Sequence, residues 1–158
     1  MFREITRRNK DLGRDAAIEL LKSELRGVLS LIGDDGYPYG VPMDHYYCEE
    51  DGCIYFHSGM AGHKVDAMKR CDKASYCVID SGSREDGNWY LMFKSAIVFG
   101  RIEIVSDAVK LRDIAYRLSR KFTDDEEYIK DEIAKFEKAT LLFALRPEHI
   151  TCKSVKES

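Results

Sequence analysis

The sequence has no Cys-x-x-Cys pair, no Gly-x-Gly-x-x-Gly run and no apolar stretch approaching the length of a membrane span. Each absence removes a class of function. The five cysteines, Cys48, Cys53, Cys71, Cys77 and Cys152, are odd in number and irregular in spacing, so they read as reduced thiols rather than a disulfide framework. His57 and His63, with His45 and Cys71 in reserve, fit neither a paired-cysteine nor a His-Glu-x-x-His pattern, and no metal is expected. Without a glycine fingerprint after a strand there is no nicotinamide-binding Rossmann unit. Gly59 to Val65 approaches a nucleotide P-loop, but Val65 stands where the magnesium-binding hydroxyl belongs. A net charge of -3 argues against a broad positive face for nucleic acid. Arg3, Arg7, Arg8 and Lys10 are not followed by the apolar segment of a signal peptide, so the expected compartment is the cytoplasm and no membrane partner is expected.

Hydrophobic residues at 44% and charged residues at 34% describe a globular chain. Its 158 residues can bury a core without disulfides. The expectation is one domain over 1–158, with 1–12 a frayed N-terminal arm and 154–158 a tail.

The chain is organised around Ile54 to Lys73. Ile54, Tyr55 and Phe56 favour a pleated, half-buried strand, and Ser58, Gly59, Ala61 and Gly62 leave the following turn nearly bare of side chain. From His63, Val65, Ala67 and Met68 recur at helical spacing, so unpaired N–H groups would point back into the turn, where they attract phosphate. Lys64 adds a full positive charge, and Ser58, His57 and His63 add donors. Two readings stay open: a phosphate cradle, or a connector bearing a solvated lysine.

Along the rest of the chain, Asp15 to Leu25 reads as an amphipathic helix and Gly27 to Gly33 as a strand buried on both faces. Asp34-Asp35-Gly36 is hairpin chemistry, returning the chain antiparallel through Tyr37 to Cys48. Pro38 and Pro42 cannot donate to a ladder and imply an edge, a bulge or a strand that faces a ligand. After the turn Glu49 to Gly52, Cys53 to His57 is a strand, as is Ala74 to Ile79. Asp80 to Asn88 is a polar loop, and Trp89 to Val105 a long strand bent near Gly100. A helix over Asp107 to Arg120 is capped by Ser106, and Thr123-Asp-Asp-Glu126 opens a second helix as a capping box. Thr140 to Leu145 is the last strand, ending at Arg146-Pro147. Six strands, joined largely as hairpins with helices between them, predict a mainly β (α+β) antiparallel barrel with peripheral helices.

Gly27 to Met43, Ile54 to Met68, Lys73 to Ile79 and Ser95 to Val105, taken in order, resemble the nitroimidazole-resistance branch of the pyridoxamine 5'-phosphate oxidase-like, flavin-binding split barrels. The Tyr37-Pro-x-Gly-x-Pro42 and Phe56-His57-x5-His63-Lys64 blocks carry most of the likeness. The resemblance implies a six-stranded split barrel and a homodimer with flavin mononucleotide (FMN) at the interface. It places Lys64, His63, Ser58 and Gly62 around the FMN phosphate, Val41, Pro42 and Met43 along the isoalloxazine ring, and His57 against the ribityl chain or ring. Lys94 to Val98 would complete the site. Cys152-Lys153 replaces the Gly-Lys pair frequent in the family. The basic and aromatic residues that hold pyridoxamine phosphate in the oxidase are not seen, so that substrate is not expected.

The implied activity is reduction of small acceptors, nitroimidazoles and nitroaromatics among them. NAD(P)H would bind transiently and the flavin, rather than any side-chain nucleophile, would carry the electrons. The alternative is a non-catalytic dimeric binder of flavin or haem, with His45, His57 or His63 as axial ligand.

Overall fold

The computed structural model describes residues 1–156. Seven strands form one wholly antiparallel sheet: β1 (Arg26–Ile32), β2 (Pro38–Asp44), β3 (Tyr46–Tyr47), β4 (Ile54–Gly59), β5 (Lys73–Ile79), β6 (Met92–Val105) and β7 (Thr140–Lys156). Their spatial order is β2-β1-β5-β6-β7-β4-β3. The two outermost strands, β2 and β3, are separated in sequence by the single residue His45. One residue cannot span an open seven-stranded sheet at nearly 5 Å per strand. The sheet therefore curls until its edges meet, which is the split barrel the sequence implied. The seventh strand arises because the stretch expected as one strand over Tyr37 to Cys48 breaks at His45 and changes edge.

His45 closes the seam. It is fully buried, with Nε2 at 2.7 Å from Leu21 O and Nδ1 at 2.8 Å from the Tyr76 hydroxyl, whose single proton is shared between Nδ1 and Met43 O at 2.7 Å. Leu21 belongs to α1 (Gly13–Ser23), which buries Ala17, Leu20 and Leu21. The barrel core gathers Leu29, Leu31, Phe56, Tyr76, Val98 and Phe143 around this point. Lys121, between α3 (Ala108–Ser119) and α4 (Glu126–Phe136), donates to Glu24 O at 2.6 Å and His45 O at 3.0 Å. These bonds tie the helical insertion to the seam.

Several local expectations are corrected. The first strand is not buried on both faces: Leu29 and Leu31 point into the core, while Val28 and Ile32 are 41% and 44% exposed because, among the described residues, no layer covers the outer face of the sheet at β1. β7 does not stop at Pro147 but runs on to Lys156. Pro147 falls opposite Gly100, where the register shifts at a bulge, so its missing N–H breaks no ladder. Residues 154–156 are thus strand rather than tail; 157 and 158 lie outside the described residues. The helix caps are Asp107, which accepts from Val109 N and Lys110 N, and Asp125, which accepts from Tyr128 N. Ser106 and the Thr123 box do not cap; Thr123 Oγ1 instead accepts from Asp125 N. The N-terminal arm is also not free, since Phe2 stacks on His149 with ring centroids 5.1 Å apart. Pro38 and Pro42 lie on the edge strand β2, one of the places open to proline. No helix among the described residues is long and apolar enough to cross a membrane.

Candidate functional site

The turn after β4 takes the shape its small residues permit. Gly62 adopts φ +121, a conformation glycine tolerates and L side chains rarely enter. A Cβ placed on Gly59 or Gly62 would meet nothing within 4 Å. The turn is open space. Gly62 caps α2 (His63–Arg70), and its carbonyl accepts from Val65 N and Asp66 N. The N–H groups of His63 and Lys64 precede those bonds and project from the helix end, where the macrodipole is positive.

Lys64 is half-buried, and its Nζ donates to the Met43 thioether sulfur at 3.4 Å. Among the described residues no carboxylate lies within ion-pair distance of it. The sheet closure thereby brings Met43 of β2 to Lys64 of α2; Val41 shares the strand face of Met43, and Pro42 points to the other face. Met43 is buried, Val41 partly so, and Pro42 exposed. Ser58 lies at the head of the turn, its hydroxyl donating to Gly59 O at 2.9 Å.

The two histidines are placed differently. His63 stacks on Tyr39 with centroids 4.1 Å apart and faces Asp34 at 3.7 Å. Arg70 binds the same carboxylate at 3.0 Å. His63 is thus engaged at the β1–β2 hairpin, beside the glycine turn rather than within it. Successive strand side chains point to opposite faces. Ile54 and Phe56 belong to the barrel core, whereas Tyr55 belongs to a second cluster with Ile114 of α3. His57 follows Tyr55, away from Ser58, and lines a cleft with Leu111, Ala115, Ile133 and Phe136. Though His57 is partly open to solvent, desolvation against these side chains lowers its pKa, Asp44 opposes the shift, and Lys64 adds to it. The structure therefore unites Met43, Gly62 and Lys64, keeps Ser58 adjacent, and puts His57 on the other side of β4. Of the proposed haem ligands, His45 is sealed in the seam with both ring nitrogens occupied.

Sequence reading missed the cleft. Helical spacing can put Leu111, Ile133 and Phe136 on helix faces, but it cannot show that the two faces stand apart over β4.

Comparison with the curated proteins finds no match. Solved structures with the same fold include a candidate 5-nitroimidazole antibiotic resistance protein from Bacteroides thetaiotaomicron, at 17% identity and TM-score 0.76 over 92% of this chain and 86% of that one. An FAD-binding protein from Mesorhizobium loti aligns at 21% identity and TM-score 0.66, over 92% of this chain and 97% of that one. An FAD and haem binding protein from Mycobacterium smegmatis aligns at 21% identity and TM-score 0.70, over 89% and 70%. Residues 13–154 match the sequence profile of pyridoxamine 5'-phosphate oxidase, and with nearly the whole chain included the protein belongs to that family.

Proposed function

We propose that the protein binds a flavin, FMN by preference, and acts as a homodimeric NAD(P)H-dependent reductase of small acceptors such as nitroimidazoles and nitroaromatics. The observation that carries this reading is the Lys64 ammonium, held against Met43 without a carboxylate partner at the mouth of an open glycine turn. A cation, two projecting N–H groups and a bare turn are what a phosphate monoester needs. Lys64, the α2 end and Ser58 would hold that phosphate, and Val41, Pro42 and Met43 would support the ring. When bound, the flavin supplies hydride and electron transfer, and this chain's residues position it and limit solvent access. Names of similar structures that mention FAD favour a flavin; the choice of FMN rests on the resemblance of the motifs.

The dimer is supported by the outer face of the sheet. Pro42, Val28, Cys77, Ile97 and Thr151 are successive cross-strand partners along one row. With Ile79 52% and Phe99 40% exposed nearby, the surface is a contiguous apolar patch of the kind that marks association.

A second reading, haem binding without turnover, is favoured by the imidazole of His57, which has no hydrogen-bond partner among the described residues, and by the haem in the name of one similar structure. The visible spectrum of the purified protein separates the two readings, flavin bands against a Soret band. Mass spectrometry of the released cofactor distinguishes FMN from FAD, and NAD(P)H oxidation with a nitro or quinone acceptor tests turnover. Absence of flavin after reconstitution would overturn the proposal.

A further inference from the structure

The cleft between β4 and the α3–α4 insertion has a volume of about 180 Å³. An engineered apolar cavity of about 150 Å³ holds a benzene ring, so the space suits one substituted ring and no more. Its walls are apolar: Leu111 and Ala115 from α3, Ile133 and Phe136 from α4. Its polar groups are few and convergent, as in small-molecule sites. The His57 imidazole and the Ser119 hydroxyl have no side-chain partner among the described residues, and Glu132 and Glu137 also line the cleft.

Charge decides the class of ligand. Glu137 is held by Arg112 at 2.8 Å, but the nearest cation to Glu132 is Lys135 at a loose 3.7 Å, which leaves Glu132 acceptor capacity. Desolvation of His57 against the cleft disfavours its charged form. No cation lines the cleft itself. The cleft thus repels a carboxylate and attracts a cation, while the walls accept a ring.

We infer that the α3–α4 cleft is a binding site for a one-ring aromatic cation, an amidine or an amine, whose ring lies between Leu111, Ile133 and Phe136 and whose charged end faces Glu132. The site is independent of the flavin reading, since His57 and Ser58 point to opposite faces of β4. It extends the chain's chemistry to a second ligand held by the helical insertion.

Three probes of equal shape and opposite charge test it: benzamidine, benzamide and benzoate, titrated by calorimetry and by saturation-transfer NMR. The expected order is benzamidine, then benzamide, with benzoate weaker than benzamidine by about tenfold or more. Benzamidine should shift the ring resonances of His57, one of only four histidines. Ala115→Trp fills the cleft and should abolish binding. Glu132→Gln, a surface change that preserves shape, should weaken benzamidine severalfold and leave benzamide unchanged. Flavin added at saturation should not displace benzamidine. The inference is overturned if none of the probes binds or if benzoate binds as tightly as benzamidine. It is also overturned if a folded Ala115→Trp protein binds normally, or if flavin competes. None of these outcomes bears on whether flavin itself binds.

Discussion

Acid should open the barrel at its seam. His45 is fully buried, and its pKa is lowered from 6.5 to about 4, chiefly by burial and then by the nearby Lys121 charge, with the Leu21 carbonyl and Asp44 opposing. Between pH 6.5 and 4 the unfolded chain takes up a proton on this side chain that the folded chain does not. Stability contributed by His45 is therefore intact above 6.5 and is lost as pH falls towards 4. Linkage over that interval gives a loss of about 2 kcal/mol between pH 7.5 and 5, and about 3 kcal/mol by pH 4. Lys121, lowered to about 8 by burial, is partly deprotonated in the folded state only near pH 7.5 and adds no more than a few tenths of a kcal/mol to the slope. Glu50 and Asp51, both held at about 2, begin to contribute only as the unfolded carboxylates protonate. Urea melts of wild type and His45→Gln at pH 7.5, 6, 5 and 4.5 isolate the term, because glutamine keeps one donor and one acceptor but does not titrate. The difference in stability between the two proteins should shift against wild type by about 2 kcal/mol from pH 7.5 to 5. Parallel curves would refute the reasoning.

Two further outcomes follow from packing. Gly100→Ala should destabilise by more than about 2 kcal/mol in urea melts, since a Cβ there would collide with the Arg146 carbonyl oxygen in the bulge facing Pro147; a loss below about 0.5 kcal/mol would mean the bulge relaxes freely. Alkylation of the native protein followed by mass spectrometry should label Cys71 first and spare Cys48, Cys53 and Cys152, which are buried, whereas Cys77, exposed on the outer sheet face of a single protomer, should react only where the proposed dimer does not cover it. Cys48 is doubly protected, its pKa raised to about 11 by burial and its bond to Glu50; early labelling of Cys48 would contradict its placement.

Much of the fold could be read from local chemistry. Asp34-Asp35-Gly36 turns the chain as expected, with Gly36 at φ +77, and β1 pairs β2 from Arg26 to Ile32. The bend near Gly100 is the observed bulge. What escaped was non-local. Whether Pro147 ends a strand depends on a bulge in its partner, and whether Val28 is buried depends on what covers the sheet. Choosing Asp107 over Ser106, or Asp125 over Thr123, was beyond a pattern that offers two capping residues within two positions. The division of His57 from Ser58 was available in principle, because alternation along a strand separates neighbours. The turn chemistry drew both into one group. The open turn before Lys64 was legible because Gly59, Gly62 and Lys64 lie close together in sequence. The contact of Lys64 with Met43, 21 residues away, needed the closure of the barrel.

The most direct test of the flavin reading is a titration of FMN into apo wild type and apo Lys64→Ala. Alanine is a good helix former, so α2 should persist, and loss of the thioether contact costs the fold little. If the Lys64 ammonium holds the phosphate, the missing charge-assisted bond should cost roughly 1.5 to 3 kcal/mol, or about ten- to more than a hundredfold in affinity. Equal dissociation constants for the two proteins would contradict the account and remove the cradle at Ser58 to Lys64 as the flavin phosphate site.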